Sequence, residues 1–285
     1  MLKHVLFSVM IIVTSSCATT VKQENIKVAM LHLELKYADL DHNAQLIEAG
    51  IELAAKQGAD WVMTPELALT GYRFDLKIGT DWVVDGPDQY VQRIQQLAEQ
   101  HRITIFLSHL ERIGSDSDNI KKTKLFNTLF VIDHSGEIIA RHRKINTIPI
   151  AESWSSAGNE PTIVTVDQQK IGLLICADAW PEAHAKRLKE QGAELILSSA
   201  SWAPGEYGPG DTWEKRSRET ELPIFVNNRT GIEREFDLRN SVSAVSHLGE
   251  RLLSHQSSNS QVVLINWDTQ KNSLLNHSKQ MISLK

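Results

Sequence analysis

The segment around Cys176 constrains the fold of this chain more than any other feature. An apolar run at residues 171–175 ends at Cys176, and the segment 177–182 then reads as the beginning of a helix. A short apolar run that leads into a nucleophile and then a helix predicts a strand, a sharp turn and a helix. Open α/β sheets place their sites at this carboxyl edge. The pattern therefore predicts an α/β fold with a reactive thiol at a sheet edge.

The alternative for Cys176 is a small buried core residue, because free cysteines are among the most buried side chains. The chain has two cysteines, and the other, Cys17, follows an apolar N-terminal segment. Two further segments favour the reactive interpretation of Cys176.

Glu66 and Lys144 occupy comparable positions at strand ends. A short strand ends at Thr64, Pro65 stops it, and Glu66 follows at the predicted sheet edge. Lys144 comes after an outer strand that begins at Ile138. The structural alternatives are a carboxylate in the first turn of a helix for Glu66 and a solvated lysine for Lys144.

Together these segments resemble the nitrilase superfamily of carbon–nitrogen hydrolases, over residues 26–267. The motifs that carry the resemblance are, in the family's order, Pro65-Glu66 with Thr70-Gly71-Tyr72, Lys144 after Arg141-His142-Arg143, and Cys176 before Asp178 and Pro181-Glu182. The resemblance implies an α/β fold, a four-layer α-β-β-α sandwich of two sheets with a helix layer on each side. It also implies a homodimer or larger homo-oligomer that assembles through the outer helices.

The resemblance also implies roles for individual residues. Glu66 falls on the general base, Lys144 on the lysine and Cys176 on the nucleophile of a Glu-Lys-Cys triad. Glu152 falls on a second glutamate that would hold Lys144 or the attacking water; its alternative is a loop carboxylate. Lys144 and the backbone N–H of Ala177 would stabilise the oxyanion, and Lys144 would favour the thiolate.

The residues after the nucleophile bear on the reaction. Ala177-Asp178 resembles amidases and carbamoylases, whereas nitrile hydrolysers tend to have Trp-Glu there. Ala179-Trp180 replaces the arginine with which some amidases bind a substrate carboxylate. We therefore expect hydrolysis of a linear, small-molecule amide to a carboxylic acid and ammonia. The alternatives are an N-carbamoyl amidohydrolase or nitrilase, an acyltransferase that passes the thioester to an amine, and a non-catalytic tethered binding protein.

Other residues are weaker candidates. Trp202 and Tyr207 lie in a turn-rich loop at 201–210 and are predicted to contact substrate, although such loops also occur as plain surface. A predicted helix carries three residues for which packing and ion pairing are favoured over substrate contact: Trp213, Arg216 and Arg218. Two acidic residues are expected to orient the turn at the nucleophile: Asp178 and Glu182.

The N-terminus resembles a bacterial lipoprotein signal. Lys3 and His4 precede the apolar run 5–13, which is too short for a transmembrane helix. The sequence Thr14-Ser15-Ser16-Cys17 departs from the usual signal at Thr14, and Cys17 would be lipidated. Plain secretion and an uncleaved anchor are the alternatives. We expect a signal peptide at 1–16, a short tether at 17–25 and a hydrolase domain at 26–285, located in a bacterial cell envelope as a periplasmic or membrane-anchored lipoprotein.

Composition excludes several other classes. A net charge of −5 gives no reason to expect a nucleic-acid partner. The 11 histidines are scattered without metal-ligand spacing, and no phosphate-binding loop is present. We therefore expect neither a metal nor a cofactor.

Hydrophobic periodicity predicts alternating strands and helices. The predicted strands are 26–34, 103–110, 124–132, 162–166, 170–175, 194–199 and 223–228, with a strand-rich tail at 241–267. The predicted helices are 40–57, 87–101, 181–191 and 212–221.

Overall fold

The computed structural model describes residues 24–114, 123–275 and 279–284. Its strands are β1 Asn25–His32, β2 Trp61–Met63, β3 Thr104–Ile113, β4 Lys124–Ile132, β5 Ile138–Arg143, β6 Thr162–Val166, β7 Gln169–Ile175, β8 Leu195–Ser199, β9 Ile224–Asn227, β10 Ile232–Glu233, β11 Phe236–Asp237, β12 Ser243–His247, β13 Glu250–His255, β14 Gln261–Asp268, β15 Ser273–Leu274 and β16 Gln280–Ser283. Its α-helices are α1 Leu40–Lys56, α2 Asp75–Ile78, α3 Gln89–His101, α4 Glu182–Glu190 and α5 Thr212–Thr220, and a 3-10 helix spans Cys176–Ala179.

Two large sheets form the centre of the molecule. The first has the order β15-β14-β1-β2-β3-β4-β5, with β16 also paired to β14, and the second has the order β13-β12-β9-β8-β7-β6. The inner strands β1-β2-β3 and β7-β8-β9 run parallel, and the outer strands are antiparallel. Parallel neighbours bring their carboxyl ends to one edge, and the candidate residues follow those ends.

The alternation of side chains along β1 explains the layers. Val28 and Met30 pack between the two sheets, whereas Ala29 and Leu31 pack on the other face against α1 and α3. Successive residues of a strand point to opposite faces, so a strand buried on both faces reads as one apolar run. Helices α4 and α5 cover the second sheet. The predicted four-layer α-β-β-α sandwich is confirmed.

Local signals place the long helices. The Asp39 side chain accepts the N–H of His42 at the start of α1, and Asp88 accepts the N–H groups of Tyr90 and Val91 at the start of α3. Gly172 in β7 lets α4 approach closely, because a Cβ there would lie 2.8 Å from a methyl group of Leu188.

The predicted elements agree with the structure apart from their ends. Strand β3 continues three residues beyond the predicted end to Ile113, and β2 ends at Met63 rather than at Thr64. The sequence analysis missed α2, β10, β11, β15 and β16, because elements this short carry no readable periodicity.

The N-terminal predictions fall outside the described residues. The signal peptide at 1–16, Cys17 and nearly all of the tether belong to this part of the chain. Within the described residues, every helix is too short or too polar to cross a bilayer.

Candidate functional site

Cys176 lies at a sharp turn between β7 and the 3-10 helix. Its φ of +49° lies in the left-handed region, which costs energy for a residue with a Cβ. The Asp178 carboxylate stabilises the turn, because it accepts the backbone N–H groups of Ile175, at 3.0 Å, and of Ile145 and Asn146, at 2.9 and 2.7 Å. One carboxylate therefore joins the Cys176 turn to the segment that follows Lys144.

A buried histidine completes this connection. His142 Nε2 lies 2.9 Å from Asp178 Oδ2, and neither side chain is exposed. Burial, the largest single cause, would raise the pKa of Asp178, but the hydrogen bond and charge of His142, the backbone N–H of Asn146 and the charge of Lys144 together lower it. Asp178 thus orients the turn as expected. Glu182 does not: it is exposed on α4 and pairs with Lys186.

Lys144 lies between two carboxylates. Its Nζ is 2.7 Å from Glu66 Oε1 and 2.6 Å from Glu152 Oε2, and all three side chains are fully buried. The Asn127 amide donates to Glu66 Oε1 and Glu152 Oε1, both at 2.8 Å. These four residues, Glu66, Asn127, Lys144 and Glu152, are called the charged cluster below.

Backbone contacts hold each carboxylate in place. The N–H of Ser201 donates to Glu66 Oε2 at 3.0 Å, which links the loop after β2 to the loop after β8. Glu152 Oε2 accepts the N–H of Ile148 at 3.0 Å and the hydroxyl of Tyr72 at 3.2 Å. The cluster is therefore assembled from segments distant in sequence: the loop after β2, the loop after β5 and the interior of β4.

Burial and charge set the protonation states. Burial raises the pKa of Glu66, and Lys144 and Asn127 oppose that rise only in part. Burial alone would lower the pKa of Lys144, but Glu66 and Glu152 outweigh it and raise the pKa well above the usual range. Lys144 is therefore an ammonium ion throughout the physiological range.

Burial dominates the protonation of the Cys176 thiol. Burial and the nearby Glu66 carboxylate raise its pKa well above the usual range, whereas Lys144 lowers it and so favours the thiolate, as expected. The resting side chain is therefore a thiol that needs a base.

A cavity of about 760 Å³ opens in front of Cys176. Trp202 and Tyr207, the predicted contact residues, both line it, and the Trp202 indole N–H donates to the carbonyl of Tyr207 at 2.7 Å. Trp202 is buried and makes edge-to-face contacts with Trp180 and Trp213. Tyr207 is 74% exposed. The loop thus contributes one buried wall and one exposed rim.

The helix α5 packs as expected. Trp213 is buried behind Trp202, Arg216 pairs with Glu219 at 3.0 Å, and Arg218 donates to the carbonyl of Gly249. Across the described residues, no three His, Cys, Asp or Glu side chains converge as metal ligands would.

The sequence analysis missed three contributors to the site. Asn127 joins the charged cluster, Tyr72 caps Glu152, and Trp180 lines the cavity. The available signal for Asn127 was a polar side chain inside the apolar strand β4, where an unpaired amide would be costly. Tyr72 was part of a motif but had been given no role.

Comparison with known proteins identifies the family. A family model described as Carbon-nitrogen hydrolase matches residues 27–265. The chain therefore belongs to the carbon–nitrogen hydrolase family, as the nitrilase resemblance indicated, and it is an enzyme of that class.

Individual relatives agree with this assignment. A citrullinase of Francisella tularensis is 27% identical, over 86% of this chain and 89% of that protein. A 2-oxoglutaramate amidase of Bacillus subtilis is 27% identical, over 61% of this chain and 64% of that protein. The crystal structure of an amidase from Nesterenkonia sp. shares the fold, with a TM-score of 0.74 at 20% identity over 89% of this chain and 94% of that one.

Proposed function

We propose that this protein is an amidase that hydrolyses a linear amide to a carboxylic acid and ammonia through a thioester on Cys176. The observation that carries the proposal is Lys144, whose Nζ lies within 2.7 Å of a carboxylate oxygen of both Glu66 and Glu152, together with a cysteine that opens into a cavity. A strongly shifted group beside a cavity is typical of a catalytic site.

The first half of the reaction forms the thioester. Glu66 takes the proton of the Cys176 thiol, and the thiolate attacks the amide carbonyl carbon. Lys144 and the backbone N–H of Ala177 stabilise the resulting oxyanion, and one such donor contributes about 3 kcal/mol. Two N–H groups of Lys144 point to carboxylates, and an ammonium has three.

The second half releases the products. Glu66 passes the proton it took from Cys176 to the amide nitrogen, the carbon–nitrogen bond breaks, and ammonia leaves. Water then gives a proton to Glu66 and attacks the thioester carbonyl carbon. The carbon–sulfur bond breaks, the acid departs, and Glu66 gives the proton to the Cys176 sulfur, which restores the thiol. Glu152 holds Lys144 in position through both halves, and its Oε2 is therefore a positioning contact.

The relatives support an amide substrate over the alternatives. A 2-oxoglutaramate amidase and an omega-amidase of Arabidopsis thaliana are among them. The citrullinase favours the N-carbamoyl alternative as the second candidate, because citrulline carries an N-carbamoyl group. Nitrile hydrolysis, acyl transfer to an amine and a non-catalytic binding role are the further alternatives.

Ammonia release tests the proposal. The chain from residue 18 onward is assayed on amides, N-carbamoyl compounds and nitriles, with and without an added amine, and Cys176→Ala is the control. Release from amides that vanishes in the variant supports the amidase. Preference for N-carbamoyl compounds or nitriles, or amine-dependent product, would favour the corresponding alternative. Absence of ammonia from every compound, together with an unreactive Cys176 thiol, would favour the non-catalytic binding protein.

We further propose the cellular context from the sequence alone. Cys17 is lipidated after removal of residues 1–16, residues 17–25 are a tether, and the hydrolase domain at 26–285 lies in the cell envelope. Cys17→Ala is expected to move the protein from the membrane fraction to the soluble periplasmic fraction. We also propose a homodimer or larger assembly, which light scattering of the soluble chain measures.

A further inference from the structure

The cavity in front of Cys176 has mostly apolar walls. The larger apolar side chains that line it include Ile148, Pro149, Trp180, Trp202, Tyr207 and Phe236. At about 760 Å³ the cavity is far larger than a minimal amide needs and lies within the range of sites that enclose whole small molecules. An occupant must therefore fill apolar space beyond its reacting group.

The charged residues that line the cavity are all acidic. They are Glu206, Glu235 and Asp237, and among the described residues that line it none is lysine or arginine. Arg73 and Arg234 pair with Glu235, at 2.6 and 3.3 Å, and Arg239 pairs with Asp237 at 2.6 Å. These three arginines already have carboxylate partners within the protein.

The buried cation Lys144 also has carboxylate partners already. Lys144 is shared between Glu66 and Glu152, and it is fully buried. A substrate carboxylate placed in the cavity would face apolar walls and acidic side chains. Burial of a charge without a partner is strongly unfavourable.

Apolar surface continues outside the cavity. Ile150 is 86% exposed, Tyr207 is 74% exposed and Trp180 is 44% exposed. Ile150 follows Pro149 and precedes Ala151, which both line the cavity. Exposed apolar side chains grouped around a cavity mark a binding surface.

From these observations we propose that the preferred substrate is an uncharged primary amide with an extended apolar acyl group, and that the site discriminates against amides that carry a carboxylate. This inference rests on the proposed amidase function and names its substrate class. The apolar acyl group lies along Trp180, Trp202 and Phe236. An anionic end would find no unpaired cation in the cavity lining, and the Glu206 carboxylate would repel it.

A matched substrate series tests the proposal. The kcat/KM for ammonia release is measured with acetamide, hexanamide, the ω-carboxylate analogue of hexanamide and its ω-amino analogue. We expect hexanamide to exceed both charged analogues by about tenfold or more, because a pocket built for one polarity rejects the other. Equal or faster hydrolysis of either charged analogue would overturn the inference.

Two variants with controls locate the cause. Glu206→Arg is expected to raise the ratio of the carboxylate analogue to hexanamide severalfold, whereas Glu250→Arg, the same charge change on β13, is not. Trp180→Ala should lower kcat/KM for hexanamide more than for acetamide, and Leu248→Ala, another exposed apolar residue, should lower neither. If neither Glu206→Arg nor Trp180→Ala changed the ratios of kcat/KM between the substrates, the proposed substrate class would be contradicted.

The two levels of the proposal fail in different ways. Cys176-dependent hydrolysis of acetamide with a preference for the carboxylate analogue would overturn the substrate class and leave the amidase intact. Absence of ammonia from every amide, acetamide included, would overturn the amidase and the substrate class with it.

Discussion

The charged cluster and the Arg229–Glu233 pair are both buried ionic groups, but their surroundings differ. Arg229 pairs with Glu233 and donates to the carbonyl of Leu35 at 2.9 Å. Glu233 accepts the backbone N–H groups of Tyr72 and Arg73, at 3.1 and 2.6 Å. Apart from their bond to each other, both residues therefore form hydrogen bonds with the backbone.

The charged cluster also accepts backbone N–H groups, from Ser201 and Ile148, but it lies beside a thiol. Glu66, Asn127, Lys144 and Glu152 bond mainly to one another, and their charges act on Cys176. A buried pair costs desolvation energy wherever it lies. The residues around a buried charge therefore determine whether it can take part in a reaction. Of these two groups, only the charged cluster adjoins a nucleophile and a cavity.

The Arg229–Glu233 pair nevertheless serves the site indirectly. Gly71 has a φ of +76°, and a Cβ there would lie 2.6 Å from Glu233 Oε2. Glu233 thus shapes the loop that presents the Tyr72 hydroxyl to Glu152. One region would perform the reaction, and the other holds a part of it in place.

The largest expected effect on activity comes from Glu66→Gln. The amide keeps the shape of the carboxylate but cannot act as a base, so kcat/KM for ammonia release should fall by about 10³-fold. Urea unfolding should show a folded protein. Activity within tenfold of the parent would contradict the role of Glu66.

The Arg229→Met variant should affect stability instead. It leaves Glu233 buried without its cation, which is expected to lower the free energy of unfolding by about 3–5 kcal/mol. Arg187→Met is the matched control, because it breaks the exposed pair with Glu160 and should cost no more than about 1 kcal/mol. Equal urea midpoints for the two variants would remove the distinction between the two regions.

A third buried group gives the protein an acid sensitivity. Burial and the neighbouring His255 lower the pKa of His32 from 6.5 to about 4, and the two rings meet edge to face with centroids 5.0 Å apart. The folded state therefore favours neutral His32. Its stabilising contribution is complete above pH 6.5 and is lost as the pH falls from 6.5 toward 4.

The His32→Gln variant measures this contribution. A shift of this size corresponds to about 3 kcal/mol, so the loss of unfolding free energy between neutral pH and pH 4 should be smaller in the variant by an amount of that order. The difference between proteins is the diagnostic quantity, because carboxyl groups also titrate in this window. An identical loss of unfolding free energy in the parent and the variant would show that protonation of His32 does not destabilise the protein.

The smallest expected effect comes from Asn127→Ala. The Asn127 amide lowers the pKa of Glu66, so its removal should raise that pKa further. A base must be deprotonated to act, and the acid limb of kcat/KM should therefore move to higher pH. Thr128→Val is the control. It changes the next residue, whose hydroxyl donates to Glu111 rather than to Glu66, and it should leave the acid limb of kcat/KM unchanged.

The sequence analysis predicted the local parts of the molecule well. Cys176 and Glu66 each follow an apolar run that ends, and such runs are readable because a strand buried on both faces must be apolar on both. Lys144 instead follows the basic end of the partly exposed strand β5, and its role depended on the resemblance. The position of Glu152 depended on the resemblance alone. Asn127 escaped notice because its contacts are with residues 61 and 25 positions away.

The sequence by itself determined the order of strands and helices, the family and the residues at the strand ends, because those features depend on neighbours in the chain. Only the tertiary structure decided the bonds of the charged cluster, the raised pKa of the Cys176 thiol and the absence of lysine and arginine from the described lining of the cavity. These properties arise from burial and from distances between segments far apart in the chain. They depend on the packing of two sheets, which local patterns do not encode.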